Sequence, residues 1–275
     1  FKIYSKIPNN IIAITGTNGK SSVADFYYQI LDLNNKKVAS IGTLGVKSKN
    51  FKLSLSNTTI DPLKLSKILN DLKKKNIDNI IMEASSHGLD QNRLDGLFFN
   101  SAIFTNLSQD HLDYHQNLKN YLNAKLYLFK NLIKKNGHVI TDEKIPEFKK
   151  IKKITLSKNL NLCLLGDKKN NFQILSHEFQ GEAQLLQIRH NHSNYKIKLN
   201  LIGKIQLKNV LMAIIASIKS NIDIKKILKI ISKIKPVEGR FERVGKIKNQ
   251  SKVILDYAHT PDALKTCLLN IREQF

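Results

Sequence analysis

The chain has 275 residues and a formal net charge of +23, with 45 lysines and arginines against 22 acidic residues. Its length allows one large domain or two smaller ones, and it contains no apolar run of about eighteen residues that would span a bilayer. The two cysteines, Cys163 and Cys267, lie far apart and have no CxxC partner. They therefore indicate small core residues in a reducing, cytoplasmic setting, not a disulfide framework or a cysteine-ligated zinc site.

The positive charge is carried mostly by lysine, since forty of the 45 basic residues are lysines and they are spread over the whole chain. No helix-turn-helix, RNP or zinc-finger pattern accompanies them. We therefore predict a small anionic substrate and no nucleic-acid partner. The first ten residues, FKIYSKIPNN, have neither an initiator Met nor the apolar region of a signal peptide. They look like a cut end, which predicts a fragment of a longer protein.

Residues 11–31 read as a buried strand, a glycine loop and an amphipathic helix. Glycines let backbone N–H groups of the loop turn toward an anion, and the helix N-terminus adds partial positive charge. Lys20 is then placed to reach phosphates and the Ser21 hydroxyl to ligate Mg²⁺. The usual P-loop has a glycine where this chain has Ile14, so the alternative is an ordinary strand–turn–helix with a surface lysine. The loop residues in question are Gly16, Thr17, Asn18, Gly19, Lys20, Ser21 and Ser22.

Two further strands are predicted to end in polar residues. Residues 80–82 form a buried strand that leads into Glu83, and residues 102–105 form one that leads into a segment with Asp110 and His111. Ligands bind beyond the carboxyl ends of strands in open α/β sheets, so Glu83 is positioned to hold Mg²⁺. The alternatives are a carboxylate that caps the next turn and, for the second segment, a loop network in place of metal ligands.

The helices and turns between these strands are predicted from their boundary residues. Residues 41–45 read as a turn after a strand at 38–40, and Asp61 caps a helix over 63–75. A long amphipathic helix is predicted over residues 118–135, ended by Asn136-Gly137. Lys125 lies in its apolar region, where a lysine can simply extend its head to water.

The remaining chain predicts an antiparallel meander over residues 172–202, helices over 206–220 and 223–234, and a boundary near Pro236. A new strand and helix follow at 253–255 and 262–275. The predicted fold is therefore α/β and P-loop ATPase-like, a mostly parallel sheet flanked by helices with an antiparallel β meander. We expect a short segment at 1–10, a central domain at 11–236, and the start of a C-terminal α/β domain at 237–275.

Together, these motifs resemble the Mur ligases. The resemblance rests on GTNGKSS at 16–22, NTT at 57–59, MEASSHGLDQNRL at 82–94, FTNLSQDHLDYH at 104–115 and YLNAKLYLF at 121–129. It continues in the expected order through residues 203–209, EGRFERV at 238–244 and DYAHTPDAL at 256–264. The SSHGLDQ-R and NLSQDHLDYH blocks are similar to the MurE branch.

The resemblance implies an ATP- and Mg²⁺-dependent amide ligase of peptidoglycan precursor synthesis. Such an enzyme adds a diamino acid to UDP-MurNAc-L-Ala-D-Glu, and we expect it to act as a monomer. The family's first and last domains bind uridine and select the incoming amino acid, so we expect this chain to bind ATP–Mg²⁺ without completing ligation. The alternatives are a folylpolyglutamate synthetase-like ligase, a non-catalytic P-loop nucleotide-binding module or a basic nucleic-acid module.

The resemblance also implies a role for individual residues. Those matched to catalysis or magnesium are Lys20, Ser21, Glu83, His111 and Lys125, the last as a carbamate. Asn209, Arg240 and Asp256 join the glycine loop as ATP-binding residues. Residues matched to the muramoyl dipeptide are Asn57, Thr58, Thr59, Ser85, Gln91 and Arg93. The chain departs from the family pattern at Ser22, Ile60 and Gln206, where Thr, Pro and Asn are usual.

Overall fold

The computed structural model describes residues 6–166, 172–246 and 251–275. Its centre is an eleven-stranded sheet with the strand order β11-β10-β9-β8-β7-β6-β1-β5-β2-β3-β4. The strands are β1 (Asn10–Thr15), β2 (Val38–Gly42), β3 (Gly45–Ser48), β4 (Phe51–Leu53), β5 (Asn79–Glu83), β6 (Phe99–Phe104), β7 (Ile133–Asp142), β8 (Asn161–Gly166), β9 (Phe172–Gln180), β10 (Ala183–His190) and β11 (Ser193–Leu199). A separate two-stranded sheet pairs β12 (Glu242–Lys246) with β13 (Lys252–Leu255).

Helices cover both faces of the large sheet. They are α1 (Lys20–Leu33), α2 (Pro62–Lys74), α3 (Ser86–Asp90), α4 (Leu112–His115), α5 (Leu118–Asn131), α6 (Phe148–Ser157), α7 (Lys204–Lys219), α8 (Ile224–Ile230) and α9 (Pro261–Gln274). None of the helices in the described ranges is long and apolar enough to cross a bilayer.

The middle of the sheet is parallel, and β1 is its central strand. It pairs in parallel with β5 on one side and β6 on the other. Because neighbouring side chains of a strand point to opposite faces, Ile12 and Ile14 enter the core beneath α1 and α7, while Ile11 and Ala13 enter the core beneath α2 and α5. This burial on both faces explains why the strand is an uninterrupted apolar run.

The antiparallel meander predicted for residues 172–202 is confirmed, because β9, β10 and β11 pair antiparallel in sequence order. It extends the large sheet through the parallel pairing of β8 with β9. At the other edge, β2, β3 and β4 form a second antiparallel extension. The turn predicted at 41–45 is shorter than expected, since β2 runs to Gly42 and β3 begins at Gly45.

The prediction of a helix over residues 118–135 was wrong at its C-terminal end. Helix α5 ends at Asn131, and β7 begins at Ile133 and pairs with β6 and β8. Asn136 has a φ of 60°, and the pairing of β6 with β7 shifts register around this point. The Asn-Gly signal therefore marks a bulge within a strand, where the backbone must turn locally, and not the end of the helix.

Both cysteines are buried, as predicted. Cys163 lies in the core beneath α7, and Cys267 packs with Ile202 and Phe241 between α9 and the start of α7.

Candidate active site

The glycine loop joins the carboxyl end of β1 to the first turn of α1, as the sequence predicts. Gly16 has a φ of 141° and Gly19 a φ of 88°, conformations that side chains rarely adopt. A Cβ at Gly16 would lie 1.9 Å from Thr105 Oγ1, and one at Gly19 would lie 2.6 Å from Asn209 Oδ1. Both positions therefore require glycine for conformation and for space.

The segment after β6 holds this loop in place. The backbone N–H of Thr17 donates to the Asn106 carbonyl at 2.9 Å, and that of Asn18 donates to Asn106 Oδ1 at 2.9 Å. The Thr105 hydroxyl donates to the Asn18 carbonyl at 2.7 Å. The shape of the loop thus depends on residues about ninety positions further along the chain.

Two lysines meet at one carbonyl of the loop. Lys20 Nζ donates to the Gly16 and Thr17 carbonyls at 3.0 and 2.7 Å, and Lys125 Nζ donates to the Gly16 carbonyl at 2.9 Å. Lys125 is only 1% exposed, so the interpretation of a head extended to water was wrong. Burial holds the pKa of Lys125 well below its usual value, and the Lys20 cation adds to this shift. Burial also lowers the pKa of Lys20.

Glu83 lies at the end of β5 and is almost fully buried. Its carboxylate accepts the backbone N–H of Thr43 at 2.9 Å and the Thr43 hydroxyl at 3.2 Å. The end of β2, directly before Thr43, packs so closely that a Cβ on Gly42 would lie 2.3 Å from Glu83 Oε1. Thr43 follows a strand end, so the same rule that pointed to Glu83 could have identified it.

The residues matched to the muramoyl dipeptide separate into two groups. Thr58 and Ser85 line the same cavity as the loop. Thr59 lies behind them, accepting the Ser85 N–H at 2.9 Å and donating to the Glu83 carbonyl at 3.0 Å. Arg93 donates to the Thr59 carbonyl at 2.6 Å and also to Gln91. Gln91 and Asn57 are exposed outside the cavity lining.

His111 directly precedes α4 and has a left-handed conformation, with a φ of 51°. Its Nε2 lies 3.5 Å from Asp110 Oδ2, and its ring packs edge-on against His87 at 4.8 Å between centroids. His87 also packs against His115, which lies 5.1 Å from the Tyr121 ring. Burial lowers the pKa of both His87 and His115.

The opposite wall of the cavity comes from α7 and the C-terminal segment. Asn209 donates to Gln206 at 3.0 Å, and Gln206 in turn donates to the Arg240 carbonyl at 3.1 Å. The Arg240 guanidinium lies over the Tyr257 ring, 4.4 Å from its centroid. Asp256 accepts the backbone N–H of Phe241 at 2.9 Å. Burial lowers the pKa of Arg240, and Asp256 opposes this shift.

These walls enclose one cavity of about 240 Å³. Fourteen of the predicted site residues line it: Thr17, Asn18, Gly19, Lys20, Ser21, Ser22, Thr58, Glu83, Ser85, His111, Lys125, Asn209, Arg240 and Asp256. Gly16 contributes its carbonyl to both lysines instead. Asp110, weighed above as a possible ligand, and Gln206, a departure from the family pattern, also line it. The lining further includes residues to which sequence reasoning gave no role: Thr43, Tyr121 and Tyr257.

The donors around Glu83 suit magnesium only together with phosphate oxygens. Within the described ranges, no three His, Cys, Asp or Glu side chains are grouped closely enough to hold a metal ion. Mg²⁺ is typically bound by one or two carboxylates plus substrate phosphates. The Glu83 carboxylate retains free lone pairs beyond its two bonds from Thr43, and the Ser21 hydroxyl lines the same cavity. These residues therefore fit a magnesium ion carried by a nucleotide.

Residues 14–217 match the model of the Mur ligase middle domain. The chain therefore belongs to the Mur ligase family.

Within the family, its similar relatives are ligases for a diamino acid. The chain is 41% identical over 273 residues to the UDP-N-acetylmuramoyl-L-alanyl-D-glutamate–2,6-diaminopimelate ligase of Rickettsia bellii, covering 98% of this chain and 56% of that protein. It is 37% identical over 271 residues to the ligase of the same name from Zymomonas mobilis, with the same coverage. The chain thus spans a little over half the length of these relatives.

Solved structures support the same fold. A structure of a UDP-N-acetylmuramoyl-L-alanyl-D-glutamate–2,6-diaminopimelate ligase superposes with a TM-score of 0.83 at 26% identity, over 96% of this chain and 54% of that one. A complex of FPGS with AMPPCP and folate superposes with a TM-score of 0.76 at 14% identity, over 98% of this chain and 72% of that one. The second likeness is one of fold.

Proposed function

We propose that this chain is the ATP-binding part of a ligase that adds a diamino acid to UDP-MurNAc-L-Ala-D-Glu. The diamino acid is meso-diaminopimelate or L-lysine. One observation carries the proposal: a single cavity joins the glycine loop, Lys20, Lys125 and Glu83 to Arg240 on the opposite wall. Cations there face a triphosphate, and a carboxylate lies where a nucleotide-bound metal would need it.

The reaction has two steps. The γ-carboxylate of D-Glu attacks the γ-phosphorus of ATP, a P–O bond to ADP breaks, and an acyl phosphate forms. The amine of the diamino acid then attacks the acyl carbon, phosphate leaves, and the amine loses a proton as the amide forms. Both first-step reactants are anions, so the site must neutralise charge and hold them in line.

The glycine loop is proposed to hold the ATP phosphates. The residues at the N-terminus of α1, Gly19 to Ser22, line the cavity, so their backbone N–H groups would bind phosphate, and Lys20 is released from the loop carbonyls to pair with it. Asn209, Arg240 and Asp256 contact the nucleotide from the other wall. Bound Mg²⁺, held by Ser21, Glu83 and His111 with the phosphates, would supply charge neutralisation at the transferred group.

Lys125 is proposed to carry a carbamate. Its buried amine has a lowered pKa, which raises the neutral fraction that reacts with carbon dioxide. The product is an anion that adds a second carboxylate to the magnesium side of the cavity. Mass measurement of Lys125 peptides in bicarbonate tests this, and a uniformly unmodified amine would contradict it.

The dipeptide substrate is proposed to bind along the wall formed by Thr58 and Ser85. Thr59 and Arg93 hold that wall through hydrogen bonds, and Asn57 and Gln91 lie exposed beside it. We also propose that residues 11–236 form the central domain and that 237–275 belong to a second domain, because β12 and β13 form their own sheet. The protein acts as a monomer in the cytoplasm.

Nucleotide binding is the first test. Calorimetry with ATP and Mg²⁺ should detect binding to the 275-residue chain, and Lys20→Met should abolish it. Lys119→Met removes an exposed lysine of α5 outside the cavity and should leave binding unchanged. Equal binding by the wild type and Lys20→Met would contradict the assignment of the loop.

Substrate choice needs a chain extended to the length of its relatives. Phosphate release from ATP should be stimulated by UDP-MurNAc-L-Ala-D-Glu with a diamino acid, and not by folate or nucleic acid. Stimulation by folate would favour the folylpolyglutamate synthetase-like alternative. The 275-residue chain by itself should bind ATP without forming the tripeptide, and robust tripeptide synthesis by it would contradict this.

A further inference from the structure

Tyr121 is a buried residue to which the sequence gave no role. It lies in the first turn of α5, is 1% exposed, and borders the cavity. The Lys125 amine lies over its ring at 4.1 Å from the centroid, and its hydroxyl lies 3.3 Å from Thr17 Oγ1. Tyr121 therefore touches the glycine loop and the buried lysine at the same time.

The direction of the hydroxyl contact follows from the other bonds of Thr17. Its hydroxyl donates to the Ser108 carbonyl at 3.2 Å and accepts the Ser108 N–H at 3.0 Å. A hydroxyl has one proton and two lone pairs, so when the Thr17 proton is on the Ser108 carbonyl, the Tyr121 hydroxyl donates to the remaining lone pair. Burial raises the pKa of Tyr121 to about 12, so the hydroxyl keeps this proton at neutral pH.

The contacts of Tyr121 and Lys125 with the glycine loop come from the same face of α5. Tyr121 and Lys125 are four residues apart, so their side chains project from the same face of α5. One contacts Thr17 and the other donates to the adjacent Gly16 carbonyl. Two neighbouring loop residues are thus held by two side chains one helical turn apart.

We propose that Tyr121 is a positioning residue that ties the glycine loop to the Lys125 amine, through its hydroxyl on Thr17 and its ring beneath Lys125. The proposal deepens the proposed function and rests on it for the role of the loop in nucleotide binding. The hydroxyl and the ring have separable effects: the hydroxyl fixes the loop, and the ring fixes the amine.

Two substitutions separate these effects. Tyr121→Phe keeps the ring and removes the hydroxyl, so the dissociation constant for ATP–Mg²⁺ should rise about three- to tenfold, the worth of one hydrogen bond. The rate at which acetic anhydride acetylates Lys125 is followed by peptide mass spectrometry in buffer free of carbon dioxide, so that the amine is not a carbamate. In Tyr121→Phe this rate should stay within about twofold of wild type. Tyr121→Leu also removes the ring, so acetylation of Lys125 should become about tenfold faster.

Tyr127 supplies matched controls on the same helix. Its hydroxyl donates to Asp95, outside the cavity lining. Tyr127→Phe and Tyr127→Leu should change neither the dissociation constant for ATP–Mg²⁺ nor the acetylation rate of Lys125. The midpoint of urea unfolding, measured for the two Tyr121 and the two Tyr127 variants, shows whether any of them loses stability. If Tyr121 only stabilised the fold, the dissociation constant for ATP–Mg²⁺ and the acetylation rate of Lys125 would change together with the urea midpoint. Tyr121→Phe would then not keep the wild-type acetylation rate.

Each result decides the proposal. Slow acetylation in Tyr121→Phe and fast acetylation in Tyr121→Leu support it. Equal acetylation rates in the two variants, or unchanged ATP affinity in Tyr121→Phe, overturn it. If the wild type binds no nucleotide, the proposed function fails, while the acetylation ratio still decides whether the ring holds Lys125.

Discussion

The close packing of Gly42 against Glu83 allows a steric test of the magnesium side of the cavity. Gly42→Ala would add a Cβ 2.3 Å from Glu83 Oε1, whereas ordinary contact begins near 3.4 Å. The carboxylate must therefore move by about 1 Å. Gly42 does not have a positive φ, so the substitution acts through this clash and not through backbone strain.

The expected loss of stability in Gly42→Ala has two sources. Overpacking a tight site costs about 1–3 kcal/mol, and weakening the two bonds from Thr43 to the carboxylate adds about 1 kcal/mol. We expect the free energy of unfolding of Gly42→Ala to fall by about 2–4 kcal/mol in urea titrations followed by circular dichroism. Magnesium should also enhance ATP binding less than it does in wild type, as measured by calorimetry.

A glycine with no close neighbour serves as the control for the glycine-to-alanine change. A Cβ on Gly245 meets no atom within 4 Å, so Gly245→Ala should match wild type in both measurements. The added Cβ would also lie 2.6 Å from Glu83 Cγ, so removing the whole carboxymethyl group should relieve the clash, and Gly42→Ala with Glu83→Ala should be more stable than the sum of the single changes predicts. A Gly42→Ala protein with wild-type stability and magnesium dependence would refute the reasoning.

Three further predictions concern stability. Asp61 caps α2, so Asp61→Ala should cost about 1 kcal/mol in urea unfolding and Asp61→Asn much less. Burial raises the pKa of Glu147, so the folded state binds its proton more readily, and the contribution of Glu147 to the free energy of unfolding should fall as pH rises through about 4.5 and beyond. Glu147→Gln should flatten that fall. Lys208 pairs at 2.6 Å with the buried Asp142, so Lys208→Met should cost about 2 kcal/mol, whereas Lys204→Met, which removes an exposed pair on the same helix, should cost under about 1 kcal/mol.

Each of the three stability predictions would be contradicted by a specific measurement. Equal losses for Ala and Asn at position 61 would mean that the cap hydrogen bond does not stabilise α2. Parallel pH profiles for wild type and Glu147→Gln would mean that the carboxyl titrates normally. Equal costs at Lys208 and Lys204 would mean that burial of the acidic partner does not strengthen the first pair.

Local signals predicted the parts of the site that lie at strand ends. The glycine loop and Glu83 were identifiable because parallel strands place their carboxyl ends at one edge of the sheet. Lys125 was ambiguous from its helix alone, since an inward lysine and one that extends to water have the same spacing. Only the contact with the Gly16 carbonyl separates the two, and that contact joins residues 109 positions apart.

The remaining features depend on tertiary pairing that no short pattern encodes. Asn136-Gly137 is typical of a helix end, yet here it lies in a bulge of β7 because the strand gains two neighbours in the sheet. In the sequence, Tyr121 is indistinguishable from the other residues on the apolar side of α5. Its contact with Thr17 of the glycine loop is visible only in the structure. Thr43 supports Glu83 from the turn after β2, forty positions away.

The central position of β1 has a consequence for how the protein is made. It pairs with β5 through residues 69 positions away, and the loop that follows β1 is closed by Asn106, 88 positions from Asn18. Contacts of such sequence separation form slowly. Because synthesis runs from the N-terminus to the C-terminus, the glycine loop is translated before β6, and it cannot take its final shape until Asn106 has left the ribosome. The competence to bind a nucleotide therefore depends on residues that are translated well after the loop itself.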